Sequence, residues 1–320
     1  MSGIIAGDIT MKQYFTYFVD DNIRFLENLT KNKPASIFDD PYLKLHKELH
    51  DKYGLKVQFN LFYQNIDKTW DLSMMTDAYK DEFLANKDWI KFGFHAKHEL
   101  PDYPYINATY EQVWDDYTAI EKAIEKFAGR EMITKSLITH WLVMTKEGVQ
   151  ALIDKGAKII GSTTGDIIDY PEIKSAFSTE HNFTLAKNKD LPVSKAGVCV
   201  RSVNGVSSMP YLCNYNHLEN NDADKYSGKI KMYKDPETGM FYNNFAAITM
   251  NASRLDDFPK EFEELVKHEY VGILIHEQYF YDDFFIYEPD FAEKIDKAFE
   301  ILLGAGFEHI SMEDLISFQE

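Results

Sequence analysis

The run Tyr14-Phe15-Thr16-Tyr17-Phe18-Val19 stops abruptly on two adjacent carboxylates, Asp20 and Asp21. Neighbouring carboxylates that face one cavity repel each other unless a cation or a proton lies between them, so the pair suits a metal site or an acid–base site with one pKa raised. The competing reading uses Asp21 to cap a helix starting near Asn22-Ile23-Arg24 and leaves Asp20 in solvent. Histidine supplies the other reactive groups. Four of the ten, His95, His98, His140 and His276, follow segments with strand character. The others, His46, His50, His181, His217, His268 and His309, read as capping or hydrogen-bonded residues without a reactive role.

The elements that must position these groups alternate along the chain. β-branched and aromatic residues make 14–19 a buried strand, which tolerates ionised groups only at its end. A short helix over 22–30 is broken by Lys31-Asn32-Lys33-Pro34. Pro41 to Tyr53 then places Leu45, Leu49 and Tyr53 on one helical face and ends at Gly54, a C-cap. Strands are predicted over 55–63, 89–94, 132–139, 157–161, 270–275 and 307–310, with helices over 76–86, 109–128, 145–155, 259–267 and 290–303. Strands and helices alternating at this length require a parallel sheet, and about seven strands suffice to close a barrel.

In such a barrel the positions just after each strand share one face. Asp20, Asp21, His95, His98, Glu99, His140, Trp141, Asp166, His276 and Glu277 all occupy such positions. His98 lies further out than His95, beyond Ala96-Lys97, towards the rim. Residues 178–253 break the alternation. Their β-rich runs at 197–203, 229–233 and 241–250, with Asp235-Pro236-Glu237-Thr238-Gly239 as a turn, predict an antiparallel β-rich insertion within a single barrel domain spanning 1–320.

Phe18-Val19-Asp20-Asp21, then His95-Ala96-Lys97-His98, and late in the chain Leu274-Ile275-His276 resemble the first, second and fifth motifs of the polysaccharide deacetylase (NodB-homology) family. That resemblance runs from about Tyr14 to Ser317 outside the β-rich insertion, and it implies a distorted (β/α)7 barrel. Carried over residue by residue, it implies that Asp20 is the general base, Asp21 and His95 are metal ligands, and His276 is the general acid. Two departures stand out. The family separates the histidines of its second motif by three residues, whereas His95 and His98 are separated by two, which leaves the third ligand open between His98 and His140. Its third motif brings an arginine that orients the base, and Leu137-Ile138-Thr139-His140-Trp141 has none.

An Asp-His-His set with open positions suits zinc or another divalent transition metal, whereas calcium wants more oxygen ligands. The expected reaction is hydrolysis of an N-acetyl group on an amino sugar or carbohydrate intermediate. The alternatives are a carbohydrate-binding barrel that has lost turnover and an amidohydrolase acting on a small non-sugar amide or imide. Composition narrows the partners. With 34 Lys plus Arg against 52 Asp plus Glu, the net charge of -18 repels phosphate backbones and anionic headgroups, so nucleic acid and membranes are excluded as expected partners. The 20 Tyr and 23 Phe offer flat rings that suit sugar faces as well as cores. Only Cys199 and Cys213 occur, too few for a disulfide framework and compatible with a reducing compartment. Met1 to Thr10 lacks a basic region followed by an apolar core, and no stretch reaches the ~18 apolar residues of a membrane span, so a cytoplasmic location is expected.

Overall fold

A computed structural model describes residues 12–100, 104–105, 108–142, 144–162, 166–167, 197–203, 206–213 and 225–319. The aromatic run forms β1 (Tyr14–Asn22). Parallel neighbours bond both of its edges, so it reads as a nearly continuous buried stretch rather than an alternating one. After it come α1 (Arg24–Asn32), α2 (Pro41–Tyr53), β2 (Val57–Phe62), α3 (Lys80–Ala85), β3 (Ile90–Ala96) and α4 (Tyr110–Phe127). β4 (Ser136–Leu137), α5 (Lys146–Asp154) and β5 (Ile159–Ser162) continue the alternation. Local chemistry sets the helix ends. The Asp40 carboxylate accepts from the backbone N–H groups of Tyr42 and Leu43, Pro41 opens α2, and Gly54 closes it at φ 69°. Thr109 and Thr145 cap α4 and α5 in the same way.

β6 (Asp166–Ile167), β7 (Gly197–Val203) and β8 (Val206–Cys213) form a separate antiparallel sheet. The chain then runs through β9 (Tyr233–Lys234), β10 (Phe241–Asn244), β11 (Ala246–Thr249), α6 (Phe258–Leu265), β12 (Tyr270–His276), α7 (Phe291–Gly304) and β13 (Glu308–His309). Parallel pairing orders one sheet β11-β12-β1-β2-β3, with β13 also beside β1, and a second sheet runs β4-β5-β10-β9. The two sheets meet twice. An isolated parallel bridge joins Phe92 to Ile133, and β10 leads straight into β11 across Phe245. No continuous ladder closes the circuit among the described residues.

Two expectations need correction. The 241–250 run is not part of an antiparallel insertion, because β10 pairs parallel with β5 and β11 pairs parallel with β12. Its short turn to β9 does make an antiparallel hairpin, and that is the signal legible locally. The strand expected over 132–139 shrinks to β4, because Arg130–Met132 winds into a 3-10 turn and Ile133 makes only the bridge. His181, His217 and Met1 to Thr10 lie outside the described residues. Among the described residues no helix is long and apolar enough to cross a membrane.

Phe245 fills the joint between the sheets. Its ring packs edge-on against Phe18 at 5.3 Å and covers Gly272, where an added Cβ would lie 2.6 Å from the ring. Gly272→Ala is therefore expected to lower unfolding free energy by about 1–3 kcal/mol through overpacking, measured by urea denaturation. A variant as stable as wild type would show that the joint has room to spare.

Candidate metal centre and active site

Successive side chains on a strand point to opposite faces, so adjacent carboxylates converge only where the strand is distorted. β1 has that distortion. Its pairing with β2 slips between Val19 and Asn22, three steps on one strand against two on the other, and Asp21 takes a left-handed backbone at φ 60°. Both carboxylates consequently reach His95: its Nε2 lies 3.0 Å from Asp21 Oδ1, and its Nδ1 lies 4.0 Å from Asp20 Oδ1. His95 also sits at a slip, between the Phe94–Leu61 and Ala96–Phe62 pairs of β3 and β2. His140 follows β4 on a tight turn in which Trp141 and Leu142 have φ of 60° and 55°.

Asp21, His95 and His140 form a group whose donor atoms all lie within 4.8 Å of one another. His140 Nδ1 is 3.0 Å from His95 Nε2 and 3.3 Å from Asp21 Oδ1. The outer nitrogens fix the tautomers. His95 Nδ1 lies 2.6 Å from the Ile138 carbonyl and His140 Nε2 lies 3.2 Å from the Glu99 carbonyl. A carbonyl only accepts, so both outer nitrogens carry the proton and, in the neutral rings, both inner nitrogens present lone pairs. Two lone pairs and a carboxylate oxygen cannot face one another at hydrogen-bond distance without a proton or a cation between them. Gln278 donates to the remaining Asp21 oxygen, Oδ2, at 2.9 Å. Carbonyl support behind each imidazole and an amide behind the carboxylate are the outer contacts that orient metal ligands. The set fits a divalent transition metal with three protein donors and open positions.

Charge in the site follows from the same geometry. Burial works to raise the Asp21 pKa, but the imidazoles of His140 and His95 outweigh it and hold the carboxyl well below the usual range. Burial lowers the His140 pKa; at His95 burial acts the same way, but Asp20 and Asp21 overcome it and raise the value. Asp20, almost fully buried, has its pKa raised by desolvation.

His276 ends β12 directly opposite Asp20 in the parallel register, and its Nδ1 lies 2.8 Å from Asn251 Oδ1. A cleft of about 420 Å³ opens beside it, lined by Asn251, Arg254, Asp256, Glu288 and Lys294 among others. Tyr279 (ring centroids 6.2 Å from His276), Phe284 and the exposed Phe285 continue outward as a row of rings. The structure does not bring His98 into the Asp21 group. His98 stands half-buried on the loop after β3, where burial and then the charge of Lys68 lower its pKa. Asp166 falls within β6.

Asp21 does not cap α1. That role belongs to Glu277, whose buried carboxylate accepts from the N–H groups of Ile23 (2.7 Å), Arg24 (2.9 Å) and Phe25 (2.7 Å), and from the Tyr281 hydroxyl at 2.8 Å. Burial pushes the Glu277 carboxyl up to about 7, against the pull of those donors. No local pattern around Glu277 announces a helix more than two hundred positions upstream. Gln58 and Asn60 alternate as buried polar side chains on one face of the otherwise apolar β2, a pattern visible in the sequence.

No family profile matches the sequence, and no curated protein matches it significantly. Solved structures do match. The 4-alpha-glucanotransferase of Thermococcus litoralis aligns over 96% of this chain and 40% of its own, with 10% identity and a TM-score of 0.50. This chain thus spans less than half of that enzyme. A family 4 acetyl xylan esterase from Clostridium thermocellum, in complex with a cobalt ion, aligns over 96% of this chain and 91% of its own (11% identity, TM-score 0.42). The chitin deacetylase of Colletotrichum lindemuthianum aligns over 95% and 88% (12% identity, TM-score 0.41). At 10% identity the likeness to the glucanotransferase is one of fold, an α/β architecture around a mostly parallel sheet.

Proposed function

We propose that this chain is a divergent member of the polysaccharide deacetylase family, a metal-dependent hydrolase that removes an N-acetyl group from an amino sugar or carbohydrate intermediate. The observation that carries this reading is the convergence of Asp21 Oδ1, His95 Nε2 and His140 Nδ1, with both rings held in the tautomer that turns lone pairs inward. The fold reading that accompanies it is a distorted (β/α)7 barrel in one domain, its strands being β1, β2, β3, β4, β5, the β10–β11 segment and β12. Zinc is the expected ion, because two imidazoles and one carboxylate leave open positions. A cytoplasmic location completes the reading and rests on the two cysteines, too few for a disulfide framework.

Bound by Asp21, His95 and His140, the ion supplies an electrophile for the amide carbonyl and lowers the proton affinity of water. Asp20 takes the proton from the attacking water as the new C–O bond forms. His276, facing Asp20 across the register, gives a proton to the nitrogen as the C–N bond breaks, because an amine anion does not leave. Acetate and the free amine are the products. His276 Nδ1–H donating to Asn251 Oδ1 turns its Nε2 away from that residue.

The test is metal analysis of the purified protein combined with acetate release from N-acetylglucosamine and its oligomers. Asp20→Asn is expected to keep the metal and to lower kcat by ~10³-fold. A metal-loaded wild type that releases no acetate from any N-acetylated amino sugar overturns the reading.

A further inference from the structure

Inside the sheet, a line of buried polar side chains runs from the end of β4 to Asp20. Asn60 Nδ2 donates to Asp20 Oδ1 at 2.7 Å, and Gln58 Nε2 donates to Asn60 Oδ1 at 2.8 Å. The polarity of the line is set by a main-chain group. Gln58 Nε2 also lies 3.0 Å from the Ser136 carbonyl, which can only accept, while Ser136 Oγ donates to Gln58 Oε1 at 2.8 Å. The Gln58 amide therefore has one orientation, which forces one on Asn60 and leaves Asn60 Nδ2 aimed at Asp20. Thr134 Oγ1, 2.8 Å from Ser136 Oγ, completes the network. All four supporting residues are buried.

Gly93 makes room for it. Directly opposite Asn60 in the parallel register, it is the position where a Cβ would lie 2.5 Å from Asn60 Oδ1 and 3.2 Å from Gln58 Nε2. An apolar core would pack this space with less desolvation, so a fully satisfied polar line that ends on a carboxylate of the site calls for a reason beyond packing.

We infer that Gln58 and Asn60 are positioning residues for Asp20: an amide relay, anchored on the Ser136 carbonyl and accommodated by Gly93, holds the base in its productive orientation with a neutral donor, the Asn60 amide. The inference rests on the deacetylase reading above. It deepens that reading by assigning the orienter of the base to β2 instead of the segment around His140.

Three variants test it: Asn60→Leu, Gln58→Met and Gly93→Ala, the last removing no polar group and acting only by displacing Asn60, should Asn60→Leu not fold. For Asn60→Leu, kcat per bound metal ion is expected to fall ~10²-fold with KM within about twofold of wild type, and Gly93→Ala is expected to lose about tenfold. Metal stoichiometry stays at the wild-type level in all three. A readout independent of turnover is the Asn60 side-chain amide signal in ¹⁵N–¹H spectra, expected to shift in Asp20→Ala and in Gly93→Ala. A wild-type kcat per metal in Asn60→Leu and Gly93→Ala, or an Asn60 amide indifferent to Asp20→Ala, overturns the relay while leaving the deacetylase reading intact. A wild type without amide hydrolysis removes that reading, and the relay's role with it.

Discussion

Asp21→Ala is expected to strip the protein of its metal and to lower turnover by at least ~10³-fold, the scale of losing several kcal/mol of electrophilic stabilisation. The reason is geometric. Asp21 Oδ1 lies within 3.3 Å of both inward-facing nitrogens, and alanine there removes the anionic donor of the group. His95→Ala and His140→Ala are expected to behave alike, since each removes one of the converging donors. His98→Ala is the informative contrast. Its ring lies outside the group, so metal content and kcat should stay within about twofold of wild type, the range of a surface change. Metal retention by elemental analysis, followed by kinetics on the same samples, decides the matter. Should His98→Ala lose the metal and His140→Ala keep it, the assignment of the third ligand is wrong.

As pH falls below 6.5 the fold is expected to lose the stability contributed by two buried histidines remote from the site. His46 and His309 are buried, and burial lowers each to about 4 from an ordinary 6.5. His46 is bonded as a neutral ring, and His309 is held between main-chain groups, its Nε2 lying 3.1 Å from the Lys56 carbonyl as well. His46 Nδ1 donates to the Tyr42 carbonyl while Nε2 accepts from the Tyr17 hydroxyl, and His309 Nδ1 donates to the Phe15 carbonyl while Nε2 accepts from the Lys56 N–H. Between about pH 6.5 and pH 4 the unfolded chain binds protons at these positions and the folded chain does not, so stability present above 6.5 is lost as pH falls through that window. Each contributes about 3 kcal/mol over the full window. Glu277, raised to about 7 from 4.5, acts in the opposite sense, because the folded chain there keeps a proton that the unfolded chain releases. Asp20, Asp40, Asp116 and Glu288, raised by burial, act in the same sense as Glu277, so the contribution of the two histidines is read from the difference between wild type and a double variant. Urea denaturation of chelator-treated protein at several pH values is the measurement, with the His46→Gln/His309→Gln double variant flattening the slope. An unchanged slope in that variant would mean the two rings are protonated in the fold as readily as outside it.

How much of this was legible without coordinates depends on the range of each interaction. The α2 helix is written out in Asp40, Pro41 and Gly54, all within its own borders, and its bounds agree with the sequence reading. Asp20, Asp21, His95, His140 and His276 were marked by their positions at strand ends, and the structure brings them to one face. The choice between His98 and His140 was not legible, because spacing says nothing about the slip in register that aims His95 or about the turn at Trp141 that aims His140. β10 and β11 were misread for a related reason. The hairpin of β10 with β9 is local, whereas the parallel partners of β10 and β11, β5 and β12, are set by the whole circuit of strands. Glu277 shows the limit most clearly, a helix cap supplied from 254 residues away.

That cap has a bearing on how the protein is made. All the atoms that would seize the ion belong to the first 140 residues, yet the bend that presents Asp21 is gripped by Glu277 and Gln278, which leave the ribosome long afterwards. A nascent chain halted before residue 277 carries every ligand and lacks the grip. The donor group of Asp21, His95 and His140 thus owes its supports to the segment that follows β12 as much as to the strands that carry it.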